Sequence, residues 1–180
     1  MNTWFTADTH LNHNKIRKYC NRPFETVEEM DNEIIYRWNK VVKPSDIVYH
    51  LGDFCFGNAK DWEKYKSILN GTIILIKGNH DYKHNSLIIK NIFGQLNVKD
   101  IMEYKYGKHK SIMLCHYAMR VWNKSHYNAG HLYGHSHGMT PSMGKSFDIG
   151  VDCNNFTPVH LDEVIERLDK LPDNPNLIRK

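Results

Sequence analysis

At 180 residues, 41% apolar and 24% charged with a net charge of +4, the chain has the size and balance of one globular domain with its own core. Nothing in it reads as a basic nucleic-acid tail or a membrane span, and the first ten residues carry no apolar leader. Its four cysteines are widely spaced, with no CxxC pair; this excludes a disulfide framework or zinc knuckle, and the expected compartment is the reducing cytoplasm.

Residues 2–6 form a short strand candidate. Thr26 and Glu29 make a capping box; Val27, Met30, Ile34, Trp38 and Val41 then share one helical face, ended by Pro44 and Ser45. "DIVYHLGD" reads as a buried strand. Residues 58–69 read as a second helix with Trp62, Tyr65 and Ile68 or Leu69 inward. "TIILIKG" is another buried strand, and residues 84–93 a short helix. The second half changes character. "IMEYKYGKHKSIMLCHY" alternates as a hairpin, and "HLYGHSHG" and "KSFDIGVD" are further strands. Leu161, Val164, Ile165 and Leu168 stripe a last helix, with His160 at its N-cap and Glu163 three residues on. Strand–helix alternation followed by strand-rich sequence predicts an α/β fold of two sheets with helices outside. The expected organisation is a single domain over residues 1–170 and a loose tail over 171–180.

Polar clusters follow the apolar runs. Asp8 and His10 follow the first, Asp53 the second, and Asn79, His80 and Asp81 the third. His116 follows the hairpin strand, and His135 and His137 the next. In α/β sheets the C-terminal strand ends share one edge, where ligands bind. Asp, His and Asn are oxygen and nitrogen donors for borderline divalent ions. Seven such groups exceed one tetrahedral site and suit two metals sharing a carboxylate, the usual clamp for phosphoryl displacement. His80, beside the ligand Asn79, is placed to protonate a leaving oxygen as general acid, with Asp81 accepting its other N–H.

The five blocks Asp8-x-His10, Gly52-Asp53, Gly78-Asn79-His80-Asp81, His116 and Gly134-His135-x-His137 together resemble the calcineurin-like metallophosphoesterase superfamily. The chain as a whole is similar to small microbial and phage phosphoesterases. The resemblance implies a two-sheet β-sandwich flanked by helices, with two metals at one edge. It puts Asp8, His10, Asp53 and His137 on the first metal, and Asp53, Asn79, His116 and His135 on the second. Asp53 bridges them, together with a hydroxide that attacks phosphorus. The implied activity is a dinuclear metal-dependent phosphodiesterase. A phosphomonoesterase on a small metabolite or nucleotide, a nuclease and a non-catalytic scaffold are the alternatives. Mn2+ is the favoured ion, with Fe, Zn, Ni or Co also suited to the donor set. The expected partner is a phosphate ester, nucleotide or nucleic-acid-derived substrates included; the sequence fixes no oligomeric state. Protein phosphatases of the superfamily extend the second block to GDxxDRG. Here it is "GDFCFG", which argues against a phosphoprotein substrate; the chain is also short for the superfamily, with little room for a cap domain, so an open site is expected.

Four further residues are candidate substrate contacts: His13 after the first ligand loop, and Arg120, Trp122 and His126 in the loop 117–130. A guanidinium there pairs with phosphate and an indole stacks on a ring. His50 is expected in the core or behind a ligand, His84, His109 and His160 at the surface, and His131 in either place. Cys55 and Cys115 adjoin ligand blocks and are candidate oxidation sensors.

Overall fold

The structure, a computed structural model, describes residues 1–83, 86–108 and 110–176. The chain runs β1 (Thr3–Thr6), α1 (Ile16–Tyr19), α2 (Val27–Val41), β2 (Ile47–His50), α3 (Ala59–Ile68), β3 (Thr72–Ile76), α4 (Ser86–Phe93) and β4 (Val98–Lys99). It continues through β5 (Ile101–Tyr106), β6 (Lys110–Cys115), β7 (Gly130–Tyr133), β8 (Ser146–Asp148), β9 (Val159–His160) and α5 (Leu161–Lys170). His84 and His109, expected at the surface, lie outside the described residues, as does the start of the helix expected from residue 84.

The strands form two sheets, in the orders β4-β3-β2-β1-β9 and β5-β6-β7-β8. In the first, β1 to β4 are parallel and β9 runs antiparallel to β1. In the second, the expected hairpin β5–β6 is antiparallel, and β6, β7 and β8 are parallel. Period-two alternation sorts the first sheet's side chains between two cores. Val48, Ile73 and Leu75 face α2, α3 and α4, where Met30, Ile34, Trp38, Trp62, Tyr65, Ile89 and Phe93 meet them. Phe5, Tyr49 and Ile76 point the other way, onto Ile112, Leu114 and Leu132 of the second sheet and Val164 and Leu168 of α5. Each fully buried aliphatic side chain contributes roughly 1.5–3 kcal/mol, so the sandwich is held mainly by these layers.

Local signals explain the helix ends. Thr26 accepts the backbone N–H of Glu29, but the Glu29 carboxylate takes the N–H of Glu25, so only half of the expected capping box forms. Asn58 and Asp61 make the complete box at α3. Leu69 is buried and Ile68 exposed, which settles which of the two turns inward. His160 caps α5 by accepting from Asp162 N–H. The C-terminal stretch is not loose throughout. Asn174 is buried and donates to Arg120 O, and Asn176 N–H closes on Asn174 Oδ1. Among the described residues no helix is long and apolar enough to cross a membrane.

Candidate metal centre

The topology gathers the polar clusters. β1, β2 and β3 are parallel neighbours, so the loops carrying Asp8 and His10, Asp53, and Asn79 and His80 leave the same edge. β6 and β7 are also parallel, and His116, His135 and His137 follow them. The two sheets are stitched at this edge: Ala7 bridges Gly150 in parallel, and Val151 N–H donates to Ala7 O.

The loops are held in costly conformations. Asp8, His10, Asp53, His135 and His137 all have positive φ, between 47° and 67°. Five of the seven predicted ligands are therefore in the left-handed region, at on the order of 1 kcal/mol or more each. Backbones also approach closely. A Cβ on Gly52, itself at φ 92°, would lie 2.4 Å from Gly78 N, and one on Gly134 would lie 2.5 Å from Asp8 Oδ2. Glycine is required there because the loops cross without room for a side chain.

Two groups of ligand atoms result: Asp8, His10 and His137 in one, and Asp53, His116 and His135 in the other, with the atoms of each within 4.8 Å of one another. Asp53 Oδ2 lies between them, 3.5 Å from His10 Nε2 and 3.6 Å from His116 Nε2. Asn79 Oδ1 is 3.1 Å from His116 Nε2.

The unpaired atoms show what this set is built to hold. His116 Nδ1 donates to Leu51 O at 2.7 Å, so in the neutral ring Nε2 carries a lone pair. That lone pair faces the Asn79 amide oxygen, and two acceptors at 3.1 Å are satisfied by a cation bound to both. His10 Nε2 is buried without a hydrogen-bond partner. Burial pushes the Asp8 carboxyl well above its ordinary range, and Asp148 and Asp53 add to this against the pull of His137. Burial likewise raises Asp53 to about 6 and lowers His116 to about 4. Burial keeps His10 and His116 low beside crowded carboxylates, while His137, against its own burial, is raised to about 10 by its hydrogen bond to Asp152; divalent cations fit such a set, because they compensate the carboxylates and displace the His137 proton.

His80 borders the centre. Its N–H donates to Asp53 Oδ1 at 3.0 Å, and its ring Nε2 is 3.9 Å from Asp53 Oδ2. The expected Asp81–His80 pair is absent from the geometry. Asp81 is fully buried and accepts instead from the backbone N–H groups of Asp53, Gly78 and Phe54, at 2.8, 2.8 and 3.1 Å. Its carboxylate ties the Asp53 loop to the Asn79 loop, and His80 Nδ1 is left buried without a hydrogen-bond partner. Burial and then the Asp53 charge push Asp81 up to about 7.

Of the candidate substrate contacts, His13 comes into the site. Its Nδ1 is 3.2 Å from His10 Nδ1, and its ring stacks on Phe56 at 3.8 Å. Arg120 and Trp122 are engaged elsewhere. Arg120 Nε donates to Asn176 Oδ1, and its backbone carbonyl accepts from Asn174. Trp122 is only 7% exposed and gives its indole N–H to Ala129 O, so it fixes its own loop rather than offering a stacking face. His126 packs its ring on Tyr127 at 4.1 Å. His50 and His131 are core histidines: His50 Nε2 bonds Thr9 Oγ1, and His131 joins Met113 O to Met119 N–H. Burial raises the thiols of Cys55 and Cys115, which opposes the sensing role expected of them.

Four further residues at the site were not singled out from the sequence. Phe56 faces His80 at 4.9 Å and Tyr117 faces His135 at 4.9 Å. Asp152 accepts from His137 Nδ1 at 2.7 Å, and Arg22 pairs with Asp152. Phe56 falls inside "GDFCFG" and Tyr117 directly follows His116, whereas Arg22 and Asp152 lie outside every ligand block and only the folded topology brings them there.

A two-sheet α/β sandwich that gathers Asp, Asn and His side chains at one edge has the architecture of a metal-binding fold. Comparison gives the family: residues 1–147 match the calcineurin-like phosphoesterase superfamily domain, and the chain belongs to that superfamily of metal-dependent phosphoric ester hydrolases. It is 34% identical over 178 residues to the uncharacterized protein MJ1445 of Methanocaldococcus jannaschii, covering 93% of this chain and 91% of that one. It is 36% identical over 86 residues to the Gene 66 protein of Mycobacterium phage L5, covering 46% and 41% of the two chains. The crystal structure of AQ665 from Aquifex aeolicus, a protein of unknown function, shares the fold, with a TM-score of 0.68 and 23% identity over 92% of this chain and 98% of that one.

Proposed function

We propose that the chain is a dinuclear metal-dependent phosphodiesterase in which His80 is the general acid. The observation that carries this reading is the position of Asp53 Oδ2 between the two ligand groups, with the His80 ring on the same oxygen. Asp8, His10, Asp53 and His137 would hold one ion, and Asp53, Asn79, His116 and His135 the other. Mn2+ fits this donor set, as do Fe, Zn, Ni and Co. Two such ions, when bound, would supply an activated water at neutral pH and charge neutralisation for the phosphate.

The chain's own residues do the rest. Leu51 O and Asp152 take the Nδ1 protons of His116 and His137, leaving both Nε2 atoms as donors of electron pairs. The His80 backbone N–H holds its residue to Asp53 Oδ1, so the ring stays at the rim with its imidazole partly open to solvent. A phosphate ester arriving there brings negative charge, which favours the imidazolium. That cation then gives its proton to the departing alkoxide. His13 and Phe56 stack on each other, both tilted to the His80 ring, and would border the space a leaving group occupies. The substrate partner is a phosphate ester, drawn from nucleotides, cyclic phosphates or other small diesters.

With Mn2+ supplied, turnover of bis-p-nitrophenyl phosphate should exceed that of p-nitrophenyl phosphate. A clear preference for the monoester would replace this reading with a phosphomonoesterase.

A further inference from the structure

We propose that Arg22 and Asp152 position the Asp8–His10–His137 half of the centre, acting through His137 and through the first ligand loop. The inference rests on the metal reading of the site. Neither residue belongs to a ligand block, and they lie 130 residues apart in sequence.

Arg22 has no exposed side-chain surface. A guanidinium has five N–H donors in a fixed fork, and here each has an acceptor. Nε and Nη2 grip Asp152 Oδ1 and Oδ2 at 2.7 and 2.8 Å. Nη2 also donates to Asp8 O at 2.7 Å, and Nη1 to Thr9 O at 3.0 Å and Met30 Sδ at 3.4 Å. Arg22 thus holds the carbonyls of Asp8 and Thr9, inside the loop whose ligands Asp8 and His10 are left-handed. The Phe156 ring lies over the guanidinium, 5.8 Å from Cζ, with Phe24 edge-on against it.

Asp152 transmits the hold to the opposite sheet. The oxygen that accepts from Arg22 Nη2 also accepts His137 Nδ1–H at 2.7 Å. His137 belongs to two potential ligand groups, one with Asp8 and His10 and one with Cys20 and Asp152. The Asp152 hydrogen bond occupies Nδ1, so Nε2 is the ring nitrogen that would ligate a cation in the first group. One buried cation therefore sets both the loop that supplies two ligands and the ring that supplies a third. Lysine cannot replace it, because a point ammonium cannot span a carboxylate and two carbonyls at once. Both residues are positioning residues: they touch no reacting atom.

The test is Mn2+ titration of the full chain by isothermal calorimetry. The wild type should bind two ions. Asp152→Asn, of the same shape, should weaken one binding step by about 10–100-fold and leave the other within about threefold. Arg22→Lys should weaken the same step. In a His137→Ala background the Asp152→Asn effect should shrink, because the ring it orients is gone and only the hold through Arg22 on the first loop remains. Should the Asn variant not fold, Asp152→Glu keeps the charge, misplaces the arm and should give the same selective loss. Unchanged binding in a folded variant, equal weakening of both steps, or an undiminished effect in the His137→Ala background would each overturn the inference. A wild type that binds no Mn2+ would overturn the metal reading and this inference with it; two-step binding insensitive to the variants would overturn this inference alone.

Discussion

His80 and Asn79 are neighbours in the chain with different work. Asn79 turns its amide oxygen toward His116, while His80 turns its ring to Asp53 Oδ2 from the rim. His80→Ala should therefore keep full metal content and lose about 10²–10⁴-fold in diester turnover. The loss should be largest for substrates with basic leaving groups, which depend most on protonation. Metal analysis beside a leaving-group series checks this; loss of an ion would make His80 a ligand instead. The candidate ligands stood out in the sequence because each is a side chain of ligand type at the end of an apolar run. Arg22 and Asp152 were not, since neither residue type nor spacing marks a pair that meets only after the sandwich closes. Trp122 and Arg120 read as substrate contacts because a loop between two ligand strands is a plausible rim. Trp122 is held by Ala129 within its own loop and Arg120 by Asn176, 56 residues on, and spacing encodes neither bond.

At the scale of elements, the site is a set of loop crossings, and Asp81 is the tie between two of them. Its two oxygens serve three backbone N–H groups from the β2 and β3 loops. Asparagine offers only one acceptor oxygen, and its amide N–H groups would face a backbone donor. Asp81→Asn should therefore cost about 1–3 kcal/mol of stability, read from urea unfolding. An unchanged midpoint would show that the tie is dispensable. The main strands and helices were legible from periodicity, including α2, α3 and the β5–β6 hairpin. β4 and β9 have two residues each, too short to carry any period, and exist only because a neighbouring strand pairs with them.

For the whole molecule, buried histidines couple the fold to pH. Burial holds His131 at about 4 and His50 at about 3, against about 6.5 in an unfolded chain. Both are depressed in the folded state. They contribute stability that is present above pH 6.5 and lost as pH falls through 4 toward 3, because the unfolded chain binds the extra protons. Asp53 and Asp81, raised by burial to about 6 and about 7, act in the opposite sense without metal, losing stability as pH rises through those values. A comparison with His131→Gln, which can keep both hydrogen bonds, isolates one part. Between pH 6.5 and 4 the wild type should lose unfolding free energy more steeply than the variant. Parallel curves would mean that His131 is not buried neutral.

The central claim is that two ions share Asp53, and electron paramagnetic resonance of Mn2+-loaded protein tests it most directly. At two equivalents of Mn2+ per chain, the wild type should give the spectrum of an exchange-coupled pair, and Asp53→Ala should lose it. A wild-type spectrum showing only the six lines of isolated Mn2+ would contradict the shared-carboxylate centre.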